Sequence, residues 1–326
     1  MATKIFSMIL GLSALFLTTE AQMSAKGGTD WKDSSLIPSS RMAQHSEFLN
    51  NQYNFPAKPR SQWELGLKIG SPSISGDVPS TFPNAGFGIH LRKSLGYLLS
   101  IRGEFYRGTA TGFDWKGNYN YMRNPAWAGN GYQGNQRTYG GGSIGYIPGA
   151  DKVYYNYKTV LNDLSGQILL NFSNIRFHRA EPKIGLYSIL GVGLLFYDTK
   201  IDALNASGQK YSFNSISGGN YAGRSQTRKD LKALLDGKYE TAGESNGLSD
   251  SKLFGMTSRV STTVGFGAAF KLSKKVNIAV EDRISFVKDD LLDGQRWAAA
   301  PLGDAVLTGH WDTYNFLSVG LNINIF

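Results

Sequence analysis

From Ser61 onward the chain alternates apolar residues with small or polar ones, the two-residue period of strands whose faces differ. Eight runs carry the pattern. The first sets Trp63, Leu65, Leu67 and Ile69 against Glu64, Gly66, Lys68 and Gly70, and the second sets Phe87, Ile89 and Leu91 against Gly88, His90 and Arg92. The third opposes Tyr97, Leu99, Ile101 and Phe105 to Ser100, Arg102 and Glu104; the fourth opposes Leu164, Ile168, Leu170 and Phe172 to Asp163, Ser165, Gln167 and Asn171. In the fifth, Ile184 to Phe196 alternates with Gly185, Tyr187, Gly191, Gly193 and Tyr197, and in the sixth Val260 to Phe270 alternates with Arg259, Ser261, Thr263, Gly265, Gly267 and Lys271. The seventh sets Val276, Ile278, Val280, Ile284 and Phe286 against Asn277, Glu281 and Arg283; the last sets Leu317, Val319, Leu321, Ile323 and Ile325 against Ser318, Gly320, Asn322 and Asn324.

Each apolar face is about the 9–11 residues that a tilted strand needs to cross a bilayer. Short connections follow runs two, four and six, whereas runs three and five lead into long loops rich in Gly, Asn, Ser and Tyr, Gly112 to Lys152 and Lys200 to Asp250. Short turns at one rim and long loops at the other distinguish a membrane barrel from a soluble sandwich, which rarely holds two such connections at one end. The polar face points the same way, since its Gly, Ser and few spaced ions suit a crowded narrow interior. The predicted fold is all-β: an eight-stranded antiparallel up-and-down transmembrane β-barrel over residues 61–326, with short periplasmic turns and long extracellular loops.

The front of the chain fits that destination. Lys4 precedes an apolar run, Ile5 to Leu17, that ends in Thr19-Glu20-Ala21, the pattern of a signal peptide over residues 1–21. Residues 22–60 are polar, carry Pro38, Pro56 and Pro59 and show no sustained period, so an extended periplasmic lead-in is expected. The absence of cysteine excludes disulfide scaffolds and thiolate metal sites. A net charge of +9 invites an anionic partner, and export turns that partner from nucleic acid toward the lipid and lipopolysaccharide of the outer membrane.

Turned inward, the polar face offers both signs of charge: Glu64, Lys68, His90, Arg92, Arg102, Glu104, Asp163, Arg259, Glu281 and Arg283. An eight-stranded barrel is only wide enough for its side chains to fill it, and buried ions must pair, so these residues are expected to form an ion-pair network. It serves either as a polar plug or as a gate for small solutes. Asp282 falls on the lipid-facing parity and suggests a bulge or a register break. Tyr97, Phe172, Phe270 and Phe286 sit near apolar-face ends, as interfacial aromatics do.

The first long loop interleaves Trp115, Tyr119, Tyr121, Trp127, Tyr132, Tyr139 and Tyr146 with Gly and Asn, a candidate surface for sugars or a partner protein. The second holds apolar residues at helical spacing over Thr227–Gly237 and a basic set, Lys200, Lys210, Arg224, Arg228, Lys229 and Lys232. Catalysis finds little support. His45, His90, His178 and His310 have no metal-ligand spacing, and His310 with Asp304 and Asp312 lacks a nucleophile in a recognisable setting. No enzyme, cofactor or metal is expected.

The stretches NNQYNFPAKPRSQWELGLKIG (Asn50 to Gly70), LRKSLGYLLSIRGEFYRG (Leu91 to Gly108), LKALLDGKYET (Leu231 to Thr241) and the closing NFLSVGLNINIF resemble the N-terminal barrel of OmpA-type outer-membrane proteins of Gram-negative bacteria. The resemblance implies a structural role in the cell envelope. Members of that family usually continue into a periplasmic domain that binds peptidoglycan through an Asp and an Arg; this sequence stops at Phe326, so no peptidoglycan-binding residue transfers to it. The leading expectation is a structural barrel that supports envelope integrity and surface interactions. A small or gated pore, a subunit of a larger outer-membrane complex and a rim-located hydrolase are the alternatives.

Overall fold

A computed structural model describes residues 34–119, 121, 124–134, 151–174, 184–216, 220–243, 251–273, 275–296 and 309–325. The expected signal peptide, together with Tyr139, Tyr146, His178, Asp304 and Phe326, lies outside them. Eight long strands form: β1 (Trp63–Ser75), β2 (Ala85–Ser94), β3 (Leu99–Phe113), β4 (Asn156–Asn171), β5 (Ile184–Ile201), β6 (Met256–Lys271), β7 (Val276–Val287) and β8 (Thr313–Asn324). Each pairs antiparallel with its neighbour in the chain, and β8 returns to β1 with Glu64 opposite Asn324 and Ser75 opposite Thr313. The sheet therefore closes into an up-and-down barrel, as the alternation predicts. Two-residue strands, Thr241–Ala242 and Lys252–Leu253, extend β5 and β6 at the long-loop rim.

The strands form where β-branched and aromatic residues alternate with glycine and polar residues, because such side chains pack on a pleated surface. Within the eight strands the predicted faces hold. Leu67, Ile69, Val192, Val260 and Phe266 point outward, 60–72% exposed, while Lys68, His90, Arg102 and Glu104 point inward and are buried. The two tightest connections are closed by backbone bonds, Leu95 N–H to Leu99 O at 2.9 Å and Leu272 N–H to Val276 O at 3.0 Å. At the opposite rim β1, β3, β4 and β5 run past the apolar belt, and the long connections join β3 to β4, β5 to β6 and β7 to β8.

Inward side chains fit because glycines face them. A Cβ on Gly267 would lie 2.3–2.5 Å from the Tyr187 ring on the adjacent strand, and one on Gly66 would lie 2.1 Å from the His90 ring. Alternating large and small residues across neighbouring strands is how a small barrel fills its interior.

Three expectations change. The lead-in is not extended throughout: Met42–Leu49 forms a helix, α1, that buries His45 and Phe48 three residues apart on one face. Its continuation reaches the short-turn rim, where Tyr97 donates its hydroxyl to Ala57 O at 2.8 Å. Asp282 marks neither bulge nor slip, since the β6–β7 and β7–β8 registers run through it without a break. It faces outward, half-buried, and accepts a 2.6 Å hydrogen bond from the Asn315 amide on the neighbouring strand.

The third change concerns the long loops. They fold over the barrel mouth into a second core with Trp127 at its centre, whose ring is 5.2 Å from that of Tyr132 and 6.0 Å from that of Tyr155. Asn124 caps the short helix α2 (Pro125–Ala128) by accepting from Ala126 N–H at 3.0 Å, with Pro125 in the first turn. Tyr132 donates to Ala203 O at 2.7 Å and accepts from Tyr211 N–H at 2.8 Å, tying the two long connections together. Helix α3 (Arg224–Leu234) buries Thr227 and Leu231 against this core and ends before Gly237, whose φ of +74° suits a residue without a Cβ.

Gly267→Val pushes two methyl groups into the Tyr187 ring, so the folded barrel should lose thermal stability. Loss of the compact, heat-modifiable band on unboiled gels, at a temperature at least 10 °C below that of the unaltered protein, is the expected result; an unchanged transition would count against the close-packed interior.

Candidate functional site

The inward face gathers its charge at one level. Lys68 of β1 places Nζ 2.6 Å from Glu104 Oε2 of β3 and 2.6 Å from Glu281 Oε2 of β7. Arg102 reaches Glu281 Oε1 at 2.5 Å and Glu104 Oε2 at 3.4 Å, and donates to Gln167 Oε1 at 2.8 and 2.5 Å. Arg283 bonds Glu104 and lies over the rings of Tyr106 and Phe316, 5.0 and 5.2 Å from their centroids. Tyr187 completes the group by donating to Glu281 Oε1 at 2.7 Å.

The side chains of this group are 0–4% exposed, so their charges have left water. Removing an ion from water costs several kcal/mol, and only mutual pairing with satisfied hydrogen bonds offsets it. Three cations face two anions here, and Asp163 supplies a third carboxylate within electrostatic reach of Arg283. Asp163 is held by hydroxyl groups rather than by a cation: Ser261 Oγ and Tyr314 Oη each donate to its Oδ2 at 2.8 Å. The expected ion pairing of Asp163 is corrected accordingly.

The single expected network divides into three tiers. Glu64, His90 and Arg92 form a separate group toward the short-turn rim, with Arg92 3.3 Å and His90 3.9 Å from Glu64 Oε1, and Asn277 donates to Glu64 Oε2 at 3.0 Å. Arg259 belongs to the opposite rim, where its Nε lies 2.7 Å from Asp289 Oδ2, an oxygen that also accepts from Tyr197 at 2.6 Å. Strand parity identifies which residues point inward but carries no information about depth, and depth decides which of them meet. Tyr187, Gln167 and Tyr314, which complete the central tier, share the inward parity; their neutral side chains gave no charge signal.

The candidate binding aromatics divide as well. Tyr121, Trp127 and Tyr132 are 0–1% exposed in the loop core and offer no face to a ligand, which corrects the expectation of a surface. Trp115 and Tyr119 stay partly exposed, with Trp115 edge-on to Tyr221 at 6.2 Å. Of the basic loop residues, Lys210 pairs with Asp151 at 2.8 Å, Arg224 stacks on Tyr221 at 3.7 Å and Lys232 lies over Phe113.

The imagined rim triad is not assembled among the described residues. His310 is exposed, whereas Asp312 is buried and accepts from the backbone N–H of Leu292 at 2.8 Å and of Asp293 at 3.3 Å. Burial and nearby carboxylates push the Asp293 carboxyl up to about 7 and raise that of Asp312.

A closed eight-stranded up-and-down barrel with an apolar exterior and a charged, filled interior defines the structural class, the architecture of the OmpA-type barrels that the sequence resembles. No protein-family model and no curated protein matches the chain. Solved structures similar to it include Neisserial surface protein A (8% identity, 82% of this chain and 99% of that one, TM-score 0.36). Ail of Yersinia pestis is similar at 10% identity, with 81% and 97% covered and a TM-score of 0.31. A major outer membrane protein from Thermus thermophilus is similar at 10% identity, with 82% and 100% covered and a TM-score of 0.36.

Glu281 is the hub of the central tier, so Glu281→Ala leaves Lys68 and Arg102 buried with half their partners gone. A loss of about 3–5 kcal/mol is expected from urea unfolding in detergent micelles. Replacing Glu281, Lys68 and Arg102 together by Met should recover most of it; a triple variant as unstable as Glu281→Ala would show that the charges themselves hold the barrel.

Proposed function

We propose that the protein is an outer-membrane barrel of the structural and surface-presenting kind, which spans the bilayer with eight strands, keeps its lumen sealed and carries a folded cap outside the cell. The observation that carries this reading is its inverted polarity. Large apolar side chains cover the outside while Lys68, Arg102, Glu104, Glu281 and Arg283 fill the inside. A water-soluble barrel would expose a contiguous apolar surface far larger than the few hundred Å² such proteins tolerate, whereas a hydrocarbon layer covers it at no penalty.

Rings at the margins fit the same picture. Trp63, Phe172 and Phe286 are each exposed at strand ends, and Lys93 lies 5.0 Å from the Trp63 ring centroid, the pairing of an aromatic and a cation expected at headgroup depth. In this orientation the short turns and the lead-in lie in the periplasm and the long loops lie outside. Among the described residues no helix is long and apolar enough to cross a membrane. The exposed basic residues of α3 and its surroundings face an anionic outer leaflet, which makes lipopolysaccharide the proposed lipid contact.

A structural role rather than conduction follows from the central tier, because a solute would have to displace paired ions that are almost wholly out of water. Reconstitution of the full chain in planar bilayers should give insertion without stable openings, and neutralising Arg102 together with Glu104 should raise the frequency of brief openings. Steady conductance by the unaltered protein would overturn the sealed reading. Recovery of the folded protein in the aqueous phase without detergent would overturn the membrane reading itself.

A further inference from the structure

At the outer rim the loop between β1 and β2 meets the loop between β7 and β8, brought together by the pairing of Ser75 with Thr313. Two buried carboxylates from this junction turn toward one point. Asp293 Oδ1 accepts from Gln295 N–H at 2.9 Å and Oδ2 from Val78 N–H at 2.8 Å, and Asp312 Oδ2 takes the N–H groups of Leu292 and Asp293. The remaining oxygen, Asp312 Oδ1, is buried and has no hydrogen-bond partner, although the residue is only 1% exposed.

Gly76 packs directly against that oxygen. A Cβ built on Gly76 would lie 2.1 Å from Asp312 Oδ1 and 2.4 Å from Asp293 Oδ2, so the two oxygens are no farther apart than those distances added and share one small space. Burial and the neighbouring carboxylates disfavour joint ionisation of the two groups, and a positive charge between them would offset that repulsion. Two further carboxylates, Asp77 and Asp290, are among the charges that act on Asp293 and add to the negative field.

We propose that Asp293 and Asp312 are the protein core of a calcium-type divalent cation site that pins the β1–β2 loop to the β7–β8 loop. A hard cation takes six to eight oxygens from carboxylates, backbone carbonyls and water, and a pair of convergent carboxylates supplies the charged part of such a shell. A proton shared between the two carboxyls is the competing arrangement. A shared proton would leave the protein indifferent to calcium, whereas a cation site would bind it saturably. The other acidic group of the cap, Asp202, Asp236 and Glu240, differs in that Asp202 is already bonded to Tyr211 and to Gly237 N–H and Asp236 has Lys238 at 3.8 Å.

The test uses the full chain, folded in detergent micelles and stripped with chelator. Calcium chloride titrated by calorimetry should bind saturably with a dissociation constant of about 10⁻⁴–10⁻³ M. Terbium should give sensitised emission, because Trp311 is the chain neighbour of Asp312. Asp312→Asn should weaken calcium binding at least tenfold and quench that emission, while the double variant Asp236→Asn, Glu240→Gln should bind like the unaltered protein. Should Asp312→Asn fail to fold, Gly76→Ala fills the same space without altering charge and should give the same loss. Absence of saturable binding overturns the proposal, as does binding that survives both Asp312→Asn and Gly76→Ala or that disappears only in the double variant. An Asp312→Asn protein that is more stable and indifferent to calcium identifies a shared proton instead and also overturns it.

Discussion

The width of the lumen governs this structure. Eight strands enclose a space no wider than the side chains that must fill it, so every large inward residue needs a small one beside it and every inward ion needs an opposite ion or hydrogen-bond donors. The chain meets both demands with the same strands. Lys68 lies across from Gly88 and Gly320, Tyr187 across from Gly267, and Arg283 across from Gly265. The space left by these glycines is occupied by the long side chains that bring Lys68, Arg102, Glu104, Glu281 and Arg283 into contact. Loss of a glycine and loss of a charge would therefore disturb the same packing.

The two ends of the molecule use different chemistry for the same purpose. Within the apolar belt the interior is held by ion pairs; beyond the belt, where the strands continue as Ala110–Phe113, Asn156–Leu161 and Thr199–Ile201, it is held by tyrosines and a tryptophan. Tyr106 and Phe316 join the halves, with rings 4.3 Å apart at the top of the charged tier. The aromatic composition that could have marked a sticky surface mostly forms the core of the cap. Trp115 and Tyr119 remain as its partly open rings, and the proposed cation site lies at the same rim on the side where the first and last strands meet.

The barrel was legible in the sequence because strand parity is a local property: once Leu67 is assigned outward, Lys68 must point inward. Sequence reasoning placed Lys68, His90, Arg102, Glu104, Glu281 and Arg283 on the inward face, and it located the connections after β3 and β5 within a few residues. It failed where the outcome depends on contacts between distant segments. Arg259 meets Asp289 because of the stagger between strands, and Trp127 is buried because the second long loop closes over it with Phe213. Asp282 looked like an error of register because a lone charge on a lipid face is costly; its partner, Asn315, lies on the same outward parity of the adjoining strand, where only the pairing register reveals it. The convergence of Asp293 and Asp312 was hidden for the same reason.

In the proposed membrane setting, the seam between β1 and β8 bears on how the barrel inserts. Lys68 is on one side of that seam and Glu281 is two strands away on the other, so their contact exists only when the first and last strands have met. Until then each of these ions can keep its hydration on an open sheet. Desolvation and neutralisation thus become a single event, and the barrel never has to carry a bare charge through hydrocarbon: the last strand to arrive completes the wall and brings together the ions that replace the departing water.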